Sequence, residues 1–128
     1  MTALDAPSQI VLVEDNKAVN KLLHGFLRRR AKVTSFLDPE TALRSLIPTD
    51  ERIIFIIDYH LPGTTGVAFK KHLEALFPSA KYLLTCGVST VRISDVREIA
   101  GFDAVLAKPY HLPTLIQKIS EIDQQWPE

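Results

Sequence analysis

The stretch IIFIIDYHLPGTTG, residues Ile53 to Gly66, decides how this chain folds. Five apolar residues run from Ile53 to Ile57 with no polar alternation. A short run of that kind reads as a strand covered on both faces, the environment of a parallel sheet. Asp58 stands where the strand emerges at its C-terminal edge, and a Pro62-Gly63 turn follows four residues later. A carboxylate there is costly to desolvate, so the position demands a chemical reason.

Working outward, short apolar runs alternate with helical stripes. Upstream, QIVLV (Gln9 to Val13) ends in Glu14, Asp15 and Asn16. Val19, Leu22, Leu23, Phe26 and Leu27 then recur at helical spacing, with Asn16 placed as N-cap. KVTSFL (Lys32 to Leu37) reads as a second strand. Asp38 follows as a cap, Pro39 takes the first helical position, and Leu43 and Leu46 share one face.

Downstream, Val67, Phe69, Leu73 and Leu76 predict a helix ended by Pro78. KYLLT (Lys81 to Thr85) is a fourth strand. The segment from Ser89 to Ala100 predicts a helix with Ile93, Val96 and Ile99 inward and Gly101 at its close. DAVLA (Asp103 to Ala107) is a fifth strand, and Leu112, Leu115, Ile116, Ile119 and Ile122 stripe a last helix. Five strands alternating with five helices call for a three-layer α/β sandwich around a parallel sheet.

In such sheets ligands bind beyond the strand C-termini. The residues expected there are Glu14, Asp15, Asp58, Thr85 and Lys108. Converging carboxylates repel one another unless a cation compensates. Mg²⁺ suits them, because it takes carboxylate oxygens and keeps positions for water and phosphate. Lys108 adds a compact positive charge and Thr85 a hydroxyl. Together they are what a carboxylate nucleophile needs to accept a phosphoryl group.

Bulk properties narrow the field. At 128 residues the chain makes one domain, read as residues 8–124 between a lead-in (1–7) and a tail (125–128), with no output domain after the last helix. Lys+Arg and Asp+Glu balance at 15 each, so no net field draws the chain to nucleic acid or a membrane. The one basic run, Arg28-Arg29-Arg30, reads as a solvated helix end. A single cysteine, Cys86, excludes an internal disulfide and fits a reducing cytoplasm. No stretch approaches the roughly 20 apolar residues of a membrane span, and no signal-peptide pattern opens the chain. His24, His72 and His111 read as surface residues.

Four motifs, each at the end of its strand, resemble the receiver domain of two-component response regulators. They are LVEDN (Leu12 to Asn16), IIDYHLPGTTG (Ile56 to Gly66), LLTCG (Leu83 to Gly87) and AKPY (Ala107 to Tyr110). The resemblance implies a flavodoxin-like sheet of order 2-1-3-4-5. It makes Asp58 the phosphoacceptor, Glu14 and Asp15 the Mg²⁺-holding pair completed by the His60 carbonyl, and Thr85 the switch hydroxyl. Lys108 becomes the ion-pair partner, on a peptide to Pro109 that is cis in the family.

The resemblance also implies partners: a sensor histidine kinase or a phosphotransfer protein, and a second copy or downstream partner on the face of helix 4, strand 5 and helix 5. It implies a signalling domain that assists its own phosphorylation and dephosphorylation rather than a metabolic enzyme. A pseudo-receiver, binding partners without taking phosphate, is the alternative. A dehalogenase-type phosphatase would want an acid where His60 stands. A flavodoxin-like carrier would want a phosphate cradle where Glu14 and Asp15 stand. One departure concerns readout: three residues before Lys108 receivers often carry an aromatic ring, and this chain carries Val105, a stiff β-branched residue.

Overall fold

The computed structural model describes residues 9–87 and 91–126. Five parallel strands make the central sheet: β1 (Gln9–Val13), β2 (Lys32–Phe36), β3 (Ile53–Asp58), β4 (Lys81–Gly87) and β5 (Ala104–Lys108), in the order β2-β1-β3-β4-β5. The helices are α1 (Lys17–Leu27), α2 (Pro39–Ser45), α3 (Gly66–Leu76), α4 (Val96–Ile99) and α5 (Leu112–Asp123). The expected sandwich and strand order are observed.

The alternation of side chains along β3 divides the core. Ile54 and Ile56 pack with Ile10, Leu12, Leu83 and Leu106 against α1 and α5 through Leu23, Leu27, Leu115 and Ile119. Ile53, Phe55 and Ile57 join Val11, Val13 and Leu84 on the other face, against Ala42 of α2 and Val67, Phe69 and Leu73 of α3. Phe55 is anchored edge-on to Phe77 at 5.3 Å and stacked on Tyr82 at 5.4 Å. A strand buried at all six positions cannot slip by one residue without reversing both layers, so β3 fixes the register of its neighbours.

The caps behave as the sequence predicts. Asn16 accepts from Val19 N at 3.1 Å and Asp38 from Thr41 N at 2.7 Å, with Pro39 in the first turn. Several expectations are corrected. Leu22 shares the helical spacing but is 61% exposed, because the apolar stripe of α1 narrows to Leu23 and Leu27 with Val19 and Phe26 at its rim. At the end of α3, Leu76 is 37% exposed and the C-cap residue Phe77 is the one buried in the core. His24 is half-buried, its Nδ1 2.9 Å from Ser35 Oγ, whereas His72 and His111 are exposed. Strand β2 stops at Phe36, whose carbonyl accepts the last ladder bond from Glu14 N and a second bond from Asn20 Nδ2. Strand β4 runs two residues past Thr85, because Cys86 and Gly87 pair with Ala107 and Lys108.

The largest difference lies before β5. Val88, Ser89 and Thr90, part of the predicted fourth helix, lie outside the described residues. The described part winds as a 3-10 turn over Ile93–Asp95 and then a single α-turn, Val96–Ile99. With three residues per turn the facing residues change. Val91 and Ile99 reach the core, while Val96 is 59% exposed rather than inward.

Candidate phosphoacceptor site

The strand order brings β1, β3, β4 and β5 side by side, so their C-terminal ends form one crevice. Glu14 leaves β1, Asp58 ends β3, Thr85 lies beside it in register, and Lys108 ends β5 opposite Gly87. Oxygen atoms of Glu14, Asp15 and Asp58 all lie within 4.8 Å of one another. Glu14, Asp58 and Thr85 are buried, whereas Asp15 is exposed. The three sequence-predicted carboxylates thus meet in one place, with Thr85 in register beside Asp58.

Lys108 ties the crevice together. Its ammonium sits 3.1 Å from Asp58 Oδ2 and 3.3 Å from Glu14 Oε1. Burial works against that charge, but the Asp58 and Glu14 carboxylates outweigh it and hold the Lys108 pKa above its ordinary value. Burial pushes the Glu14 carboxyl up, opposed by the Asn16 N–H, which donates to Glu14 Oε2 at 3.0 Å; the Asp58 charge pushes it further up and Lys108 opposes. The Lys108-Pro109 peptide is cis.

The backbone frame is equally specific. Tyr59 N donates to Thr85 O at 2.8 Å, and Gly66 N donates to Tyr59 O at 2.7 Å. Between them Pro62 and Gly63 turn the chain, Gly63 at φ +76° in the left-handed region glycine tolerates. His60–Leu61 and Thr64–Thr65 pair as a small antiparallel ladder. The His60 imidazole is exposed and rests edge-on against Tyr59, 4.9 Å between centroids. Cys86 is buried, and burial, then the Asp58 charge, raise its thiol pKa, which suits an inert small residue rather than a redox centre.

Three supporting residues escaped the sequence reading. Asn20 donates to Glu14 O at 3.0 Å and Phe36 O at 2.9 Å, pinning the turn that carries the acidic pair. Its signal was a lone amide within the apolar stripe of α1. Tyr59 is fully buried, which its odd-numbered place after Phe55 and Ile57 foreshadows. Gly66 packs so closely that an added Cβ would lie 2.6 Å from Asp58 O and 2.9 Å from Leu84 Cδ1. Gly66→Ala should therefore destabilise the fold by about 2–3 kcal/mol, as overpacking does, read as a lower urea midpoint at constant m. An unchanged midpoint would show that the β3–α3 junction can relax at no cost.

The sequence model described as "Response regulator receiver domain" matches residues 10–120. Protein PetR of Rhodobacter capsulatus is 30% identical over 125 residues, covering 96% of this chain and 52% of that protein. The chain thus spans about half the length of this relative. A CheY-like receiver domain from Methanospirillum hungatei JF-1 superposes with a TM-score of 0.81 at 21% identity, covering 94% of this chain and 96% of that one. The receiver TrrA from Thermotoga maritima, solved in complex with Mg²⁺-BeF, gives 0.73 at 22%, covering 90% and 98%. The BeF3-activated DrrB receiver domain gives 0.76 at 20%, covering 98% and 100%. At these identities the structures speak for the fold alone.

Proposed function

Since the chain belongs to the response regulator receiver domains, a family of signalling modules, we propose that it accepts a phosphoryl group on Asp58 from the phosphohistidine of a sensor kinase or phosphotransfer protein. The observation that carries this reading is the Lys108 ammonium bridging Asp58 and Glu14, with Asp15 clustered beside them and Thr85 in register with Asp58. An Asp58 carboxylate oxygen bonds to phosphorus as the phosphorus–nitrogen bond breaks, its electron pair leaving with the imidazole. Lys108 neutralises charge on a phosphoryl oxygen, and Thr85 Oγ1 donates to another. Little else is asked of the protein beyond positioning.

The donor set fits a hard divalent cation, being oxygen throughout. Glu14, Asp15, Asp58 and the His60 carbonyl would hold Mg²⁺, which supplies positive charge to the crowded carboxylates and the phosphoryl oxygens. Such binding stabilises the folded state by mass action, about 2.7 kcal/mol at a hundred times the dissociation constant. Asp15→Asn should lower Mg²⁺ affinity at least tenfold, the scale of loss seen even for outer-shell partners. Titration followed by thermal unfolding checks it, and equal affinity in the two proteins would remove Asp15 from the site.

The product is a conformational signal that ends with hydrolysis of the aspartyl phosphate. Val96 and Val105, 59% and 38% exposed, give the face of α4, β5 and α5 apolar contacts for a second copy or a downstream partner. Among the described residues no helix is long and apolar enough to cross a membrane, in keeping with cytoplasmic signalling. The deciding experiment is intact-mass measurement after incubation with acetyl phosphate and Mg²⁺. One phosphoryl group, mapped to Asp58, is expected; none would favour a pseudo-receiver.

A further inference from the structure

Tyr59 spans the gap between the β3 terminus and the segment before α4. Its backbone follows Asp58 directly, and its ring is buried in the α2–α3 layer of the core. Its hydroxyl donates to Asp95 Oδ2 and accepts from Arg92 N at 3.1 Å, joining positions 36 and 33 residues apart.

Asp95 is also the residue that begins α4. Asp95-Val96-Arg97-Glu98 has the spacing of a capping box. In such a box the first side chain accepts from the backbone N–H three residues on, and the glutamate reaches back to the first backbone N–H. Neither half is formed. Asp95 makes no side-chain cap bond, its backbone sits at φ −97° and ψ −5°, and its carboxylate is held by Tyr59. The Asp95 N–H is bonded to Arg92 O at 2.9 Å within the 3-10 turn. Glu98 Oε2 is buried without a hydrogen-bond partner among the described residues, a costly condition that the reciprocal bond of the box would relieve.

We propose that the Tyr59 hydroxyl and the first turn of α4 compete for the Asp95 carboxylate, and that this competition sets the conformation of residues 91–100. A capping Asp95 needs an extended backbone, whereas the tethered Asp95 sits at ψ −5° with its N–H bonded in the 3-10 turn, so the two arrangements exclude each other and the segment is bistable. In the tethered arrangement Asp95 holds Tyr59 and α4 is a single turn. In the capped arrangement Asp95 accepts from Glu98 N, Glu98 reaches back to Asp95 N, and the 3-10 turn opens.

The trigger rests on the phosphoacceptor reading of Asp58. The Tyr59 main chain is bonded to Thr85 O and Gly66 N, so a shift of Thr85 toward a phosphoryl group moves Tyr59 directly. Tyr59 is then the positioning residue that links Asp58 to α4 in a chain where position 105 carries no ring.

Tyr59→Phe tests the competition, because it keeps the ring and removes the hydroxyl. Without any phosphoryl mimic, its amide resonances from Arg92 to Ala100 should move at least halfway toward those of the wild-type protein with Mg²⁺ and beryllofluoride. Protection of the Glu98 amide from hydrogen exchange should rise about tenfold. Asp95→Asn should act in the same direction, since an amide caps as well as a carboxylate but accepts more weakly from the phenol. Should Tyr59→Phe fail to fold, Asp95→Asn decides alone. Shifts confined to the neighbours of the ring, or unchanged Glu98 protection, overturn the proposal. The exchange measurement uses neither phosphate nor mimic, so it stands apart from the mass test; a wild-type protein that takes no phosphoryl group would remove the trigger and leave the competition standing.

Discussion

Asp58→Asn will gain no phosphoryl group under conditions in which the wild-type protein is fully modified. The amide has nearly the shape of the carboxylate and lacks its nucleophilic oxygen, so the loss is of chemistry rather than of packing. Asp58 ends a strand buried at every position, and its backbone is held in register with Thr85, so the substituted side chain has little room to reorient. Folding should change by no more than about 1 kcal/mol. The substitution forfeits the ion pair at 3.1 Å to Lys108, but that ammonium keeps Glu14, and Glu14 is freed of a neighbouring negative charge. Intact mass with acetyl phosphate, beside a urea unfolding curve, separates the two effects. Continued modification of the asparagine protein at the same stoichiometry would assign the nucleophile to another residue.

The second large effect belongs to Lys108. Lys108→Ala should slow phosphorylation by acetyl phosphate about 100-fold, comparable with removing one preorganised donor from a developing oxyanion. The stability cost should be far smaller, about 1 kcal/mol, because the side chain is 37% exposed and the pairs are partly screened by solvent. Mg²⁺ should recover part of that loss by neutralising the same carboxylates. Lys108→Arg should rescue the charge but not the rate, since a planar fork does not occupy the place of a compact ammonium. Rates are read from initial slopes of the phosphorylated fraction. A Lys108→Ala protein modified at the wild-type rate would reduce Lys108 to a structural counter-charge.

Most of the crevice was legible in the sequence because parallel α/β topology leaves few choices. Once Ile53–Ile57 reads as a strand buried on both faces, successive strands must run parallel, and their C-terminal residues must share an edge. Glu14, Asp58, Thr85 and Lys108 each follow or end an apolar run, so their convergence follows from connectivity alone. The caps at Asn16 and Asp38 were legible for a similar reason, since a side chain bonding a backbone N–H three residues on is a local event. Helical spacing alone did not tell how wide a stripe α1 and α3 bury, and it leaves Leu22 and Leu76 outside the core.

What the sequence alone determined, then, is the order of elements and the residues at the sheet's functional edge, because both depend on short-range patterning and a constrained topology. Tertiary structure decided which of those residues touch. Lys108 faces Gly87 in register and reaches across to both Asp58 and Glu14. The lack of room at Gly66 arises from Asp58, Leu84 and Ile57 together. It also decided the winding before α4, where local spacing favoured one long amphipathic helix. There the Tyr59 hydroxyl bonds Arg92 and Asp95, 33 and 36 residues away, at a 3-10 turn, and Val96 lies outward. A buried hydroxyl must be satisfied by whatever the fold brings within reach, and no window of local sequence contains that partner.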